Sequence, residues 1–234
     1  YQVSSSNVWP EEGYIFNKQL SGCGNGSTFA WDDQNKRVIM STSVSDKWYV
    51  YFDVYVPPSI ADVCSNGNNL ATCIQTFYNS YGSNVANIYY HDSSLVNGAG
   101  DNSYRYAGAS DIVNNYVCFG SNEEVCPSDN LYRIIGVFDN QVKLIKNASY
   151  GSYNWSGSST NSSNVWGNST LNMDILNNVY YNSLGSVWNS KIVDTSWNVG
   201  GHSTSDVTVG AFYINDVTNN STTYSSPIGL MYVS

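Results

Sequence analysis

His91-Asp92-Ser93 puts three residue types used in nucleophilic hydrolysis side by side. A working triad draws its members from separate elements around an oxyanion hole, and neighbouring positions on a strand point to opposite faces. The triplet therefore predicts no catalysis. His202, after Gly200-Gly201, reads as a surface-loop histidine. Carboxylate pairs at Glu11-Glu12, Asp32-Asp33 and Glu123-Glu124 sit in polar, turn-like contexts. A glycosidase needs carboxylates that face each other across a cleft, so solvated charge is the simpler reading. Asp92, Asp101 and Asp111 flank one Asn- and Gly-rich region and are of the type that binds calcium. No D-x-[DN]-x-[DN]-G string accompanies them, and the metal assignment stays unknown. No motif asks for a cofactor, and neither a cofactor nor an enzymatic activity is expected.

The other chemistry is structural or adhesive. Five cysteines stand at positions 23, 64, 73, 118 and 126. Cys64/Cys73 and Cys118/Cys126 each bracket a short polar loop; zinc would need tighter spacing with histidine support, so two local disulfides are expected. Cys23 is left over, to be buried, reactive or paired between molecules. Tyr153, Trp155 and Trp166 punctuate a long Ser-, Asn- and Gly-rich segment, 147–168. Such rings either stack on sugars or pack into a protein partner, or else they plug a core beneath the loop. N-x-Ser/Thr sequons begin at Asn25, Asn147, Asn154, Asn161, Asn168, Asn219 and Asn220. They are glycosylation candidates, although chance yields a similar number in a chain so rich in Asn, Ser and Thr.

Charge excludes some partners. With nine Lys and Arg against 18 Asp and Glu, the net charge is −9, which leaves no cationic surface for nucleic acid or for anionic lipid. No apolar run approaches the roughly 18 residues of a membrane helix, so no membrane insertion is expected within this chain, which reads as an ectodomain.

The elements that must position these residues fall into two parts. Residues 1–56 read as a small all-β unit, with strand-like runs at Gly13–Leu20, Ser27–Trp31, Lys36–Ser41 and Trp48–Val56. The last is apolar or aromatic at nearly every position, as in a strand covered on both faces. Pro57-Pro58 ends it as a stiff linker. Residues 57–234 read as a β-rich mixed domain with two or three short helices, at Leu70–Tyr78, Leu171–Tyr181 and Ser186–Asp194. The helix at 171 rests on an α-helical spacing of Leu171, Ile175, Leu176, Val179 and Tyr180. Strands are expected at Asn84–Tyr90 and Ser103–Tyr106. Leu131–Phe138 and Gln141–Lys146 are expected to form a hairpin about Asp139-Asn140. Val207–Val217 fits a helix or a strand, and Pro227–Val233 fits a buried strand. The fold class is α+β.

The string NYVCFGSNEEVCPSDNLYRIIGVFDNQVKLIK, Asn115–Lys146, resembles a family of uncharacterised surface and pilin-like proteins of gut Firmicutes. IYYHD at 88–92, NSYRYAG at 102–108, GSYNW at 151–155, NSKIVDTSWNVGG at 189–201 and IGLMYVS at 228–234 agree in order. The resemblance implies a cell-surface module of C-type-lectin-like architecture, displayed on stalks or repeats. The first part is similar to a small repeat of such proteins, C-x-NGS-x-x-W-D ending in C-x-V-Y-F. Cys23–Ser27 and Tyr49–Phe52 fit it, Trp31-Asp32 follows Ser27 with one residue more than the pattern has, and Trp48 stands where the second cysteine would be. The expected function is that of an extracellular, non-catalytic surface protein binding a protein or glycan partner. The alternative is a subunit of a secreted filament or pilus that self-assembles by strand exchange.

Overall fold

The computed structural model describes residues 10, 13–23, 29–39, 47–65, 67–156, 165–199, 208, 210–211, 214–215 and 222–231. The chain divides into two units, Tyr1–Val63 and Cys64–Ser234. The division falls seven residues beyond the expected end at Val56, past the Pro57-Pro58 pair.

Within the first unit the described residues form three strand pairs. Strand β1 (Tyr14–Phe16) pairs with β6 (Phe52–Val54), β2 (Gly22–Cys23) with β5 (Trp48–Tyr49), and β3 (Ala30–Asp32) with β4 (Arg37–Ile39), all antiparallel. The expected strand Trp48–Val56 is thus two strands with different partners. Between them the Tyr51 backbone leaves the ladder: its N–H donates to Ser21 Oγ at 2.9 Å and its carbonyl accepts from the Asn17 N–H at 2.9 Å. Nor is that run covered on both faces, since Tyr49, Val54, Tyr55 and Val56 are exposed. The core is aromatic instead. Phe16 lies 5.6 Å from Phe29, 5.5 Å from Trp31 and 6.2 Å from Phe52; Trp31 meets Phe52 at 5.4 Å and Phe29 meets Trp48 at 5.9 Å. Pairs of this kind contribute about 0.5–1.5 kcal/mol each beyond area burial. Asp32 closes the β3–β4 hairpin by accepting from the Asn35 N–H at 3.1 Å and pairing with Arg37 at 2.9 Å.

The second unit is α+β. Its main sheet runs β11-β10-β8-β7, with β9 also on β10; the ranges are β7 Ile88–His91, β8 Ser103–Tyr106, β9 Tyr116–Cys118, β10 Leu131–Phe138 and β11 Gln141–Lys146. Asp139 and Asn140 both have positive φ, 46° and 62°, the backbone that a two-residue hairpin with right-handed strand twist requires. One edge of β10 is shared: β9 pairs with residues 131–133, and β8 takes over at Gly136-Val137. The change of partner coincides with a register shift between Ile134 and Gly136, and a Cβ on Gly136 would collide with the Tyr104 carbonyl oxygen. Only glycine lets the two backbones approach there.

Helix α1 (Leu70–Ala86) packs on β7, β10 and β11. Asn69 caps it by accepting from the Thr72 N–H at 2.9 Å, and Cys73, Ile74 and Phe77 are buried with Ile88, Ile134 and Val137. It is longer than the expected Leu70–Tyr78 and absorbs Asn84–Ala86, which the sequence suggested as the start of a strand. Gly82 breaks it locally (φ 71°, ψ 175°) and Asn87 ends it in a left-handed turn (φ 55°). Two disulfides hold loops against this framework, Cys64–Cys73 at the start of α1 and Cys118–Cys126 beside the β9–β10 pairing.

The remainder is a π-helix at Leu171–Tyr180, continued by α2 (Tyr181–Ser183), then α3 (Ser186–Asn189) and the antiparallel pair β12 (Thr195–Asn198) and β13 (Thr223–Ser226). The expected helix Ser186–Asp194 stops at Asn189, where successive tight turns follow and β12 takes up pairing. Pro227–Val233 is no buried strand over its described part: Leu230 and Met231 are exposed. Asn177 holds Ile228 with its side-chain amide, donating to its carbonyl at 3.0 Å and accepting from its N–H at 2.9 Å. Those are the groups a neighbouring strand would have used. Val207–Val217 lies largely outside the described residues.

Candidate functional site

The aromatic residues after the hairpin form a wall whose parts support one another. Tyr150 stacks on Tyr153 with centroids 5.7 Å apart and planes at 28°, and packs against Tyr180 at 4.6 Å. The Tyr180 and Tyr132 hydroxyls are hydrogen-bonded within the core, which ties the wall to β10. Burial pushes the Tyr180 hydroxyl well above the ordinary range, and the bond to Tyr132 adds to this. Tyr150 is pushed up by desolvation first and then by Tyr153. Gly151 is needed for the wall to close, because a Cβ there would lie 2.8 Å from the Tyr153 ring. Tyr153 nevertheless remains 45% exposed. A ring held in place and still open to solvent is a preorganised contact surface.

Beside it is an open hollow of about 440 Å³, lined by Tyr150, Gly151, Ser152, Tyr153, Leu171, Leu176 and Leu230. The winding of the π-helix supplies its floor. Side chains five apart stack along it, as Asn177 shows by donating to the buried Asn172 Oδ1 at 2.7 Å, and Leu171 and Leu176 share that spacing. An α-helical reading placed Val179 inside as well; it is 54% exposed. Asn177 sets the remaining wall, since its grip on Ile228 carries Leu230 to the hollow.

Of the three rings singled out from sequence, Tyr153 lines the hollow and Trp155 is exposed beside it. Trp166 is only 4% exposed and packs 5.4 Å from Trp155. The plug and the surface contact are therefore divided between them: Trp166 is a core ring, and Tyr153 and Trp155 face solvent. The Trp166 indole N–H has no hydrogen-bond partner among the described residues. Sequence reading missed Tyr150, Leu171, Leu176 and Leu230 as lining residues. The Tyr150-Gly151-Ser152-Tyr153 spacing was the available signal, and Leu171 and Leu176 were read as part of an α-helical spacing.

The other candidates are separate from this wall. Asp92 accepts from Ser94 N–H and Oγ at 2.8 and 2.6 Å, and these bonds hold its carboxyl below the usual carboxylate range. Asp101 accepts from Ser103 Oγ and pairs with Arg105 at 2.6 Å. Both carboxylates thus have local partners, Asp111 is exposed, and the described residues contain no group of three or more His, Cys, Asp or Glu able to hold a metal. His91 faces Ser103 across the β7–β8 register, yet its Nδ1 accepts from the Ala99 N–H at 3.1 Å while Ser103 is buried and donates to Asp101. His202 lies outside the described residues. Asn147, Asn154 and Asn168 are exposed; Asn25, Asn161, Asn219 and Asn220 lie outside the described residues.

Cys23 stands outside both disulfides and directly opposite Trp48 in the β2–β5 register. The position that the repeat pattern reserves for a second cysteine is therefore the cross-strand neighbour of the first. No helix of the described residues is long and apolar enough to cross a membrane. The chain matches no protein-family model, no curated protein and no solved structure.

Proposed function

We propose that this chain is an extracellular, non-catalytic surface protein that binds a protein or glycan partner. The observation that supports it best is the Tyr153 ring, fixed by Gly151 and Tyr150 yet open to solvent at the rim of an apolar hollow, with Trp155 exposed beside it. The two disulfides suit an oxidising compartment, and the C-type-lectin-like plan implied by the sequence resemblance belongs to the same reading. The test is to probe arrays of glycans and of extracellular proteins with the full chain. Saturable binding that Tyr153→Ala with Trp155→Ala removes supports the reading; binding indifferent to both rings contradicts it.

A second reading, a filament subunit assembled by strand exchange, draws on the first unit. There Val54, Tyr55 and Val56 are exposed, and β6 pairs with β1 alone among the described residues. Concentration-dependent ladders or fibres in size-exclusion chromatography and electron microscopy would favour it over a monomeric binder.

A further inference from the structure

Resting on the binding reading above, we propose that the hollow takes a proline-rich segment of a protein partner, with basic residues flanking the prolines. Three features of the hollow argue for this ligand over a sugar. The floor is Leu171, Leu176 and Leu230. A pyranose hydroxyl turned onto the leucine floor would find no hydrogen-bond partner there. A prolyl ring carries no such group. The rim includes the Tyr150 and Tyr153 hydroxyls, which can donate to a carbonyl, while the Gly151 carbonyl already accepts from Ser149 Oγ at 3.4 Å. A run of prolines offers carbonyl acceptors and no N–H to satisfy, and it is extended before binding, so little entropy is lost on docking.

Charge supplies the flanks. The lining contains no carboxylate, ammonium or guanidinium group, so the anchor that enters it is uncharged. The molecule as a whole carries −9, a field that draws a cationic partner and repels an acidic one. At about 440 Å³ the hollow is open to solvent and has room for more than one prolyl ring. Tyr153, already immobilised by Tyr150 and Gly151, contributes contact area with little further loss of freedom.

The test is fluorescence anisotropy of the full chain with a labelled peptide, Lys-Pro-Pro-Leu-Pro-Lys. Parallel titrations use the same peptide with alanine for each proline, the peptide with glutamate for each lysine, and cellohexaose as a neutral sugar. The expected result is saturable binding of the first peptide, weakened about ten-fold by Tyr153→Ala. Loss of the prolines should weaken it comparably, and glutamate flanks should weaken it less as salt rises to about 0.5 M. Leu230→Ser, at a half-exposed wall position, is a second variant expected to weaken binding with the fold intact, as checked by circular dichroism. No saturable peptide binding, or binding unchanged in both variants, overturns the inference. Cellohexaose binding that depends on Tyr153, without peptide binding, also overturns it while leaving the surface-binding reading intact. Array binding that ignores both rings removes that reading itself.

Discussion

The two units solve one problem by different means. Residues 1–63 hold short strand pairs together with an aromatic cluster of Phe16, Phe29, Trp31, Trp48 and Phe52, and among its described residues Phe29 is the one large apolar side chain that is buried. Residues 64–234 use aliphatic packing between α1 and a longer sheet, with two loops closed by sulfur. A small unit has too little interior for aliphatic packing alone, and rings bury more area per residue. Both units leave rings at the surface, Tyr14, Tyr49 and Tyr55 in the first and Tyr153 and Trp155 in the second, where Tyr150 and Gly151 fix Tyr153 in place.

The largest effect should come from the staples. Replacing Cys64/Cys73 and Cys118/Cys126 with alanine should lower the stability of the second unit by about 2.5 kcal/mol per disulfide, from loops closed over nine and eight residues. Denaturant unfolding should show that transition moving while the transition of the first unit stays in place. Phe29→Ala should do the reverse, removing about 3–4 kcal/mol from the first unit alone. If either change shifts both transitions equally, the contrast between the units fails.

Trp48→Cys would convert one strategy into the other. It sets a second thiol opposite Cys23 in register, removes the ring against Phe29, and closes a 25-residue span. Loop closure should make the oxidised variant roughly 3 kcal/mol more stable than its reduced form, while the lost ring offsets most of that gain relative to wild type. Non-reducing mass spectrometry reports the bond and thermal melts report the shift. The smallest effect concerns pH. Burial, then the nearby Arg105, holds His91 below its ordinary value of 6.5. The native state therefore resists protonation more than the unfolded chain does. This contribution is fully present above pH 6.5 and is lost as pH falls below it toward the lowered native value. Melts of the second unit should show this slope, His91→Gln should reduce it, and the first unit, which has no histidine, should lack it.

How legible each region was follows from the range of the forces that shaped it. The β10–β11 hairpin was readable to the residue because Asp139-Asn140 fixes the turn locally. The cysteine pairs were readable for the same reason, each closing a short loop. Distant partners decided the rest. Trp48–Val56 looked like one strand until Ser21 and Asn17 claimed the Tyr51 backbone. Pro227–Val233 looked like a strand because no spacing announces that Asn177, some fifty residues earlier, holds Ile228. The hollow was hidden by an assumption of α-helical winding. With 3.6 residues per turn Val179 turns inward, whereas π winding stacks Leu171 on Leu176 and leaves Val179 in solvent. Trp155 and Trp166 look equivalent in sequence, and only packing separates the exposed ring from the buried one.

The measurement that tests the central claim most directly sets the two regions against each other. Wild type, Tyr153→Ala/Trp155→Ala and Tyr49→Ala/Tyr55→Ala are compared on the same array of glycans and extracellular proteins. All four tyrosine and tryptophan positions are exposed rings, two in each unit. The expected result is that the change in the second unit abolishes binding while the change in the first leaves it within about two-fold of wild type. Binding lost with Tyr49 and Tyr55 but retained without Tyr153 and Trp155 would contradict the account.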